Sequence, residues 1–414
     1  MGPRSGISRR RLLQAGAVAG TAVLAGLGGA VVVDASRTGE DRPDPPGWTS
    51  VAFHGAHQAG VLAPVGPSMA VVAFDVVAES HDELRQLFRV LTDRARLLTA
   101  GGLPLDAGPA APPDDNGILG PTMPVRQLAV TIGVGASLFD SRFGLAARKP
   151  ARLKPMTSFP NDNLDPARTQ GDLSVVLQAA DGDTVIHALR DLTKHTRGAM
   201  QPRWRINGSV SRPRPSGTPR NYLGFKDGIA NPDLQDPATV RSLIWVPPGG
   251  PEPAWTTGGT YQVVRIIRML VEFWDRIGLQ EQETLIGRRK DSGAPLDGNR
   301  ETDIPDYQRD PTGAVIPLSA HIRLANPRTE STASSQILRR GFNYDLGLDD
   351  NGNLDQGLLF TCYQQDIARQ FETVQARLIN EPLVDYISPV GGGYFFVLPG
   401  VTGLDDYYGR RLLA

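Results

Sequence analysis

Met69-Ala70-Val71-Val72-Ala73-Phe74-Asp75-Val76-Val77 is nearly continuous in apolar and β-branched residues, the pattern of a strand buried on both faces. Ser80 follows as a helix cap, and Leu84, Leu87, Phe88, Leu91, Ala95 and Leu98 recur at helical spacing over 81–99. Outward from this pair the chain predicts strands at 127–134 and 172–178, a helix at 184–195 and a strand at 203–211, with a short helix near Ser137. The order returns later: a strand at 261–270, a largely helical 271–286, strands at 337–344 and 358–363, a helix at 367–378 and a strand at 394–398. Strand, helix, strand, strand, helix, strand, twice over, predicts an α+β protein of two ferredoxin-like domains with antiparallel sheets, 51–215 and 216–414.

Ahead of the folded part, Ser8-Arg9-Arg10-Arg11-Leu12-Leu13 precedes an Ala-, Gly-, Val- and Leu-rich run that ends at Val33-Asp34-Ala35. This reads as a twin-arginine export signal over 1–35, cleaved after Ala35 or retained as an anchor, followed by a Pro-rich linker over 36–50. The translocase is then a partner during export, and the location is extracytoplasmic: periplasm, cell envelope or secreted. The formal net charge of −1 on 414 residues gives no basic footprint for nucleic acid. The single cysteine, Cys362, excludes an intramolecular disulfide framework, a thiolate metal cluster and the C-x-x-C-H attachment of a c-type haem, and its apolar strand marks it as core. A metal must be held by histidine or carboxylate.

Between the two halves stands Gly224-Phe225-Lys226-Asp227-Gly228-Ile229-Ala230-Asn231-Pro232. Its glycines permit sharp turns and close approach to a flat ligand, and they hold Asp227 as a carboxylate that can aim into a pocket; taken alone it is also an ordinary Asp-Gly turn. Of six histidines, His54 and His57 lie in the entry loop, His81 starts a helix, and His187 and His195 sit on a helix pattern that reads as solvated. His321 stands apart, before an Asn326-Pro327-Arg328 turn, as either a ligand or a structural imidazole. In Ile337-Leu338-Arg339-Arg340-Gly341, period two puts the arginines on opposite faces: either one points inward and needs an anionic partner or a ligand, or the strand is an edge with both arginines in water. Asp349-Asp350-Asn351-Gly352-Asn353-Leu354-Asp355 lacks the spacing and terminal Glu of a calcium loop and reads as a hairpin turn.

Taken together, Gly55-x-His57-Gln58-Ala59-Gly60, Gly224-x-x-Asp227-Gly228, Ile286-Gly287-Arg288-Arg289-Lys290, His321 with Asn326-Pro327-Arg328, Arg339-Arg340-Gly341 and Pro389-Val390-Gly391-Gly392-Gly393-Tyr394 resemble the dye-decolourising peroxidases, in their exported deferrochelatase/peroxidase subgroup. The resemblance spans nearly the whole chain after residue 50. It implies two ferredoxin-like domains of the dimeric α+β barrel type enclosing one non-covalent haem b, with His321 as iron ligand and Asp227 and Arg339 as the catalytic pair. Gly228, Ile229, Ala230, Asn326, Pro327, Arg328 and Arg339 would contact the haem; Ile229 stands where the family more often has Thr. The implied activity is reduction of hydrogen peroxide through a ferryl intermediate and oxidation of dyes, phenols or other one-electron donors. The alternative is haem handling, releasing iron from haem or carrying it outside the cytoplasm, and the resemblance allows an iron-uptake permease and a homo-oligomer as partners. A carboxylate should bond the far nitrogen of His321, and Asp366 is a candidate for it, with a first-turn helix role as the competing reading.

Overall fold

The computed structural model describes residues 50–414 apart from Val65, Asp106 and Ala107, so the expected export signal and nearly all of the expected linker fall outside the described residues. The first half runs β1 (Ser68–Val76), α1 (His81–Ala100), β2 (Ala129–Gly135), β3 (Leu173–Ala179), α2 (Gly182–His195) and β4 (Met200–Ser209). After α3 (Pro237–Leu243) come β5 (Thr260–Met269), α4 (Val271–Trp274), α5 (Leu279–Ile286), α6 (His321–Ala325) and α7 (Glu330–Ala333). The chain finishes with β6 (Leu338–Leu348), β7 (Leu354–Gln364), α8 (Thr373–Leu378) and β8 (Ile387–Val397).

All eight strands close into one antiparallel barrel in the order β1-β3-β2-β8-β5-β7-β6-β4. Within it each half keeps the ferredoxin-like order, β4-β1-β3-β2 and β8-β5-β7-β6, and the pairs β2–β8 and β4–β6 join the halves. Alternation along the strands decides what each face does. Met69, Val71 and Ala73 of β1 fill the barrel with Val264, Ile266, Phe342, Tyr344 and Phe395, whereas Ala70, Val72 and Phe74 face outward against the helices of the first half. There Leu84, Leu87, Phe88 and Leu91 of α1 are buried, as their spacing requires, and the Ser80 hydroxyl caps the helix by accepting from Glu83 N–H at 3.2 Å. In the second half the outward faces of β5 to β8 instead wall a cavity, through Arg265, Ile267, Met269, Arg339, Leu358, Phe360, Ile387 and Pro389.

Three local expectations are corrected. The helical stretch 271–286 is two helices broken before Gly278, where Gln282 Nε2 donates to the carbonyls of Trp274 (3.0 Å) and Ile277 (3.4 Å). The last strand begins at Ile387, not Tyr394, because Gly391, Gly392 and Gly393 belong to it: a Cβ at Gly392, whose φ is +125°, would stand 1.9 Å from the Val264 carbonyl. His187 is buried, not solvated, and its Nε2 bonds the Asp115 carboxylate, while His195 is partly exposed. Among the described residues no helix is long and apolar enough to cross a membrane.

Candidate active site

The loop carrying Asp227 is shaped by its own polar groups. Asn221 Oδ1 accepts from the N–H of Leu223 (3.1 Å) and Phe225 (3.2 Å), and Gly224 (φ 87°) and Gly228 (φ 109°) take the left-handed turns that flank Lys226 and Asp227. Asp227 N–H donates to the Pro219 carbonyl at 3.0 Å. Four residues on, Asn231 serves as a surrogate strand for β6, which meets β4 only at Ser209–Asn343. Its Oδ1 accepts from Arg339 N–H (2.9 Å) and its Nδ2 donates to the Arg339 carbonyl (3.0 Å). That clamp brings the loop to the strand, and Arg339 Nη1 donates to Asp227 Oδ1 at 3.0 Å. Gly341 leaves room for the other oxygen, since a Cβ there would come within 3.3 Å of Asp227 Oδ2.

His321 opens α6 and lines the same cavity, of about 240 Å³. Its Nδ1 donates to Glu381 Oε2 at 2.7 Å, and no protein group among the described residues bonds Nε2. Glu381 is 3 % accessible, whereas the 30 % of the His321 side chain that stays accessible opens on the cavity. Burial pulls the His321 pKa down, but the Glu381 charge and hydrogen bond outweigh it and hold the pKa above the ordinary histidine value; Arg339 and Asp227 are near enough to act in opposite senses.

The expected residues come together. Asp227, Gly228, Ile229, Ala230, His321, Asn326, Arg328 and Arg339 all line the cavity, every lining residue falls in 221–389, and only Pro327 of the expected set is absent. Asp366 does not reach His321. It caps the following turn by accepting from Ala368 N–H (3.0 Å) and Arg369 N–H (3.1 Å) and pairs with Arg152 at 2.6 Å, so Glu381 fills the role foreseen for it. Glu381 was missed because nothing in Asn380-Glu381-Pro382 marks a carboxylate sixty residues beyond its histidine. Arg340, on the opposite face from Arg339, is buried inside the barrel and donates Nη2 to the Val61 carbonyl at 2.8 Å.

Arg288 was also missed as a site residue, although its motif was visible. It lines the cavity nearly fully buried and donates to the carbonyls of Gly293 (2.6 Å) and Glu301 (3.0 Å). Burial first, and then the neighbouring Arg328, hold its pKa below the usual guanidinium value. Neither arginine forms an ion pair among the described residues; Arg328 is exposed, but Arg288 is a buried guanidinium on the cavity wall, and a buried cation favours an anionic ligand. Among the described residues no cluster of three or more His, Cys, Asp or Glu could hold a bare metal ion. An unpaired imidazole nitrogen, an apolar wall of Phe225, Ile267, Leu358 and Phe360, and two unbalanced guanidiniums fit an iron macrocycle bearing carboxylates.

The comparisons agree. The Dyp-type peroxidase N-terminal profile matches residues 58–209 and the C-terminal profile residues 218–402. The chain is 49 % identical over 411 residues to the Deferrochelatase of Yersinia pestis bv. Antiqua (strain Nepal516), covering 98 % of this chain and 95 % of the relative. It is 50 % identical over 415 residues to that of Escherichia coli (strain K12), covering 98 % and 97 %. Among solved structures, a DyP-type peroxidase from Cellulomonas bogoriensis superposes with a TM-score of 0.78 at 37 % identity, over 89 % of this chain and 99 % of that one. Ferric DtpA from Streptomyces lividans gives 0.80 at 36 %, over 89 % and 98 %. The chain therefore belongs to the Dyp-type peroxidase family: it is a haem peroxidase, an oxidoreductase that uses hydrogen peroxide and electron donors.

Proposed function

We propose that His321 would hold the iron of a non-covalently bound haem b and that Asp227 and Arg339 would activate peroxide beside it. The observation that carries this is one cavity entered by His321 with its Nδ1 fixed on Glu381 and by Asp227 with its Oδ1 fixed on Arg339. Bound there, the haem would supply the iron that takes two oxidising equivalents from peroxide and passes them singly to donors. Glu381 keeps Nδ1 protonated, which directs Nε2 to the metal and raises its basicity. Asp227 Oδ2 can take the proton from one peroxide oxygen and return it to the other, and Arg339 stabilises the negative charge on the oxygen that leaves. Gly228, Ile229, Ala230, Asn326 and Arg328 would contact the haem, with Arg288 and Arg328 facing its carboxylates. Buried Cys362 and the missing C-x-x-C-H motif support non-covalent attachment.

The identity to proteins named Deferrochelatase favours a second use of the same cavity, release of iron from haem for extracytoplasmic iron uptake. Both uses need His321, but only the peroxidase needs the Asp227–Arg339 pair. Asp227→Ala should therefore slow the reaction with hydrogen peroxide by about 10²–10⁴-fold in stopped flow while haem still binds. A variant that reacts at the parent rate would reject the assignment. The export motif at 8–13 supports passage through the twin-arginine translocase to an extracytoplasmic site, where an iron permease would be a fitting partner. Repetition of the ferredoxin-like strand order supports the 51–215 and 216–414 division, and association into homo-oligomers belongs to the same proposal.

A further inference from the structure

Outside the cavity wall, one carboxylate holds the neighbours of Asp227 on both sides. Glu301 forms an ion pair with Lys226, whose side chain is only 5 % accessible and whose Nζ also donates to the Ser216 carbonyl at 2.9 Å. The same Glu301 accepts from the N–H and the hydroxyl of Thr218, both at 3.0 Å, and Thr218 backs Gly228, where a Cβ would lie 3.7 Å from its Cγ2. The approach is built into the backbone. Gly217 (φ 77°) has no room for a Cβ, which would fall 2.3 Å from either Glu301 oxygen, and a Cβ at Gly293 (φ 77°) would fall 2.7 Å from Lys226 Cδ. Glu301 itself does not line the cavity, and its carbonyl accepts from Arg288 at 3.0 Å.

We propose that Glu301 is a positioning residue for peroxide activation: by gripping Lys226 ahead of Asp227 and Thr218 against Gly228 behind it, it sets the direction of the Asp227 carboxylate. This rests on the role given to Asp227 above. Its loop is held locally by a single antiparallel bridge, Arg220 to Lys226, so the direction of the Asp227 side chain depends also on tertiary ties. Without Glu301, Lys226 would also be left as a nearly buried, unpaired cation. Misplacement of a reacting group by a fraction of an ångström costs about tenfold in rate.

The test uses haem-loaded Glu301→Gln, Glu301→Asp and Asp227→Ala, each measured for its bimolecular rate with hydrogen peroxide and its association rate with cyanide. Cyanide arrives as a protonated acid and must give up its proton, so its binding reads the base without turnover. Apoprotein titration with haem and a thermal midpoint check the scaffold. Glu301→Gln should lose about tenfold in both rates with haem affinity unchanged, and Glu301→Asp should recover part of the loss. If Glu301→Gln keeps both rates within twofold while Asp227→Ala loses them, the positioning role is overturned and the peroxidase reading stands. If Asp227→Ala keeps the parent rates, that reading falls and takes this inference with it. Should Glu301→Gln not fold, Thr218→Val decides: it spares the ion pair, a loss of about threefold supports the role, and the parent rates overturn it.

Discussion

Replacing Glu381 by glutamine isolates the charge that the site applies to its histidine. The amide keeps the size of the side chain and can still accept from His321 Nδ1, so the 2.7 Å contact survives while the negative charge is lost. Glu381 is 3 % accessible, and water cannot replace that charge. A hydrogen bond to an ionised partner is worth about 1.5–3 kcal/mol and a neutral one about 0.5–1.5, so the variant loses about 1–2 kcal/mol of preference for the more oxidised iron. For a one-electron couple, with about 59 mV per tenfold, this raises the ferric/ferrous potential by about 40–90 mV. Loss of such a partner also weakens metal-site binding by about 10–100-fold, read by titrating apoprotein with haem. The assay is a spectroelectrochemical titration of parent and variant under one buffer. A potential that moves by less than about 20 mV, with haem affinity unchanged in a normally folded variant, would refute the placement of iron on His321.

Two further outcomes test the scaffold. Arg265 and Asp162 form an ion pair in which each side chain is 1 % accessible, and the second Asp162 oxygen accepts from Phe159 N–H at 2.9 Å. Arg265→Met should destabilise by about 3–5 kcal/mol in chemical unfolding, and adding Asp162→Asn should return most of it; a single variant within about 1 kcal/mol of the parent would count against the pair. In the loop packed on α2, burial pushes the Asp115 carboxyl up, but the hydrogen bond from His187 and the N–H of Gly117 outweigh it and leave the pKa below the usual value. A depressed carboxyl stabilises above its unfolded pKa of about 3.9 and ceases to do so as pH falls through the folded value. Asp115→Asn should therefore be less stable than the parent at pH 6, with the gap closing in the acid range. A gap that widens towards low pH would contradict the sign.

Much of the fold was legible because burial wrote it in periodicity. The continuous apolar run of β1 and the helical spacing of α1 each describe surfaces covered on defined sides, and those are properties of neighbours in sequence. Asp227, His321 and Arg339 were individually ambiguous; only their motifs taken in order raised them above turns and surface charges. Glu381 and Arg288 were out of reach for different reasons. The first acts across sixty residues with no local pattern, and the second stands in Arg288-Arg289-Lys290, where three adjacent cations do not reveal which one turns inward. His187 failed similarly: its partner Asp115 lies on a loop whose path no periodicity describes. The strand start at Ile387 was hidden by glycines that are needed for close strand contact and yet look like a turn.

On the proposed reading, the charges around the cavity explain why one histidine would suffice. Asp227 answers Arg339, Glu301 answers Lys226, Glu381 supports His321 and Asp162 answers Arg265, so four anionic groups are already engaged. Among the described residues Arg288 and Arg328 form no ion pair, and burial together with the neighbouring Arg328 disfavours the charge on Arg288, which anionic oxygen from a ligand would relieve. A bare metal ion would add to that positive charge and find too few ligands among the described residues. A macrocycle that brings four equatorial nitrogens and its own carboxylates asks the chain for one imidazole and two guanidiniums, which is what the cavity leaves unpaired. The Asp227 carboxylate then does not have to balance the ligand. Held on Arg339 by one oxygen, it would on the proposed reading keep the other for proton transfer, a division of labour that a catalyst needs and a mere receptacle does not.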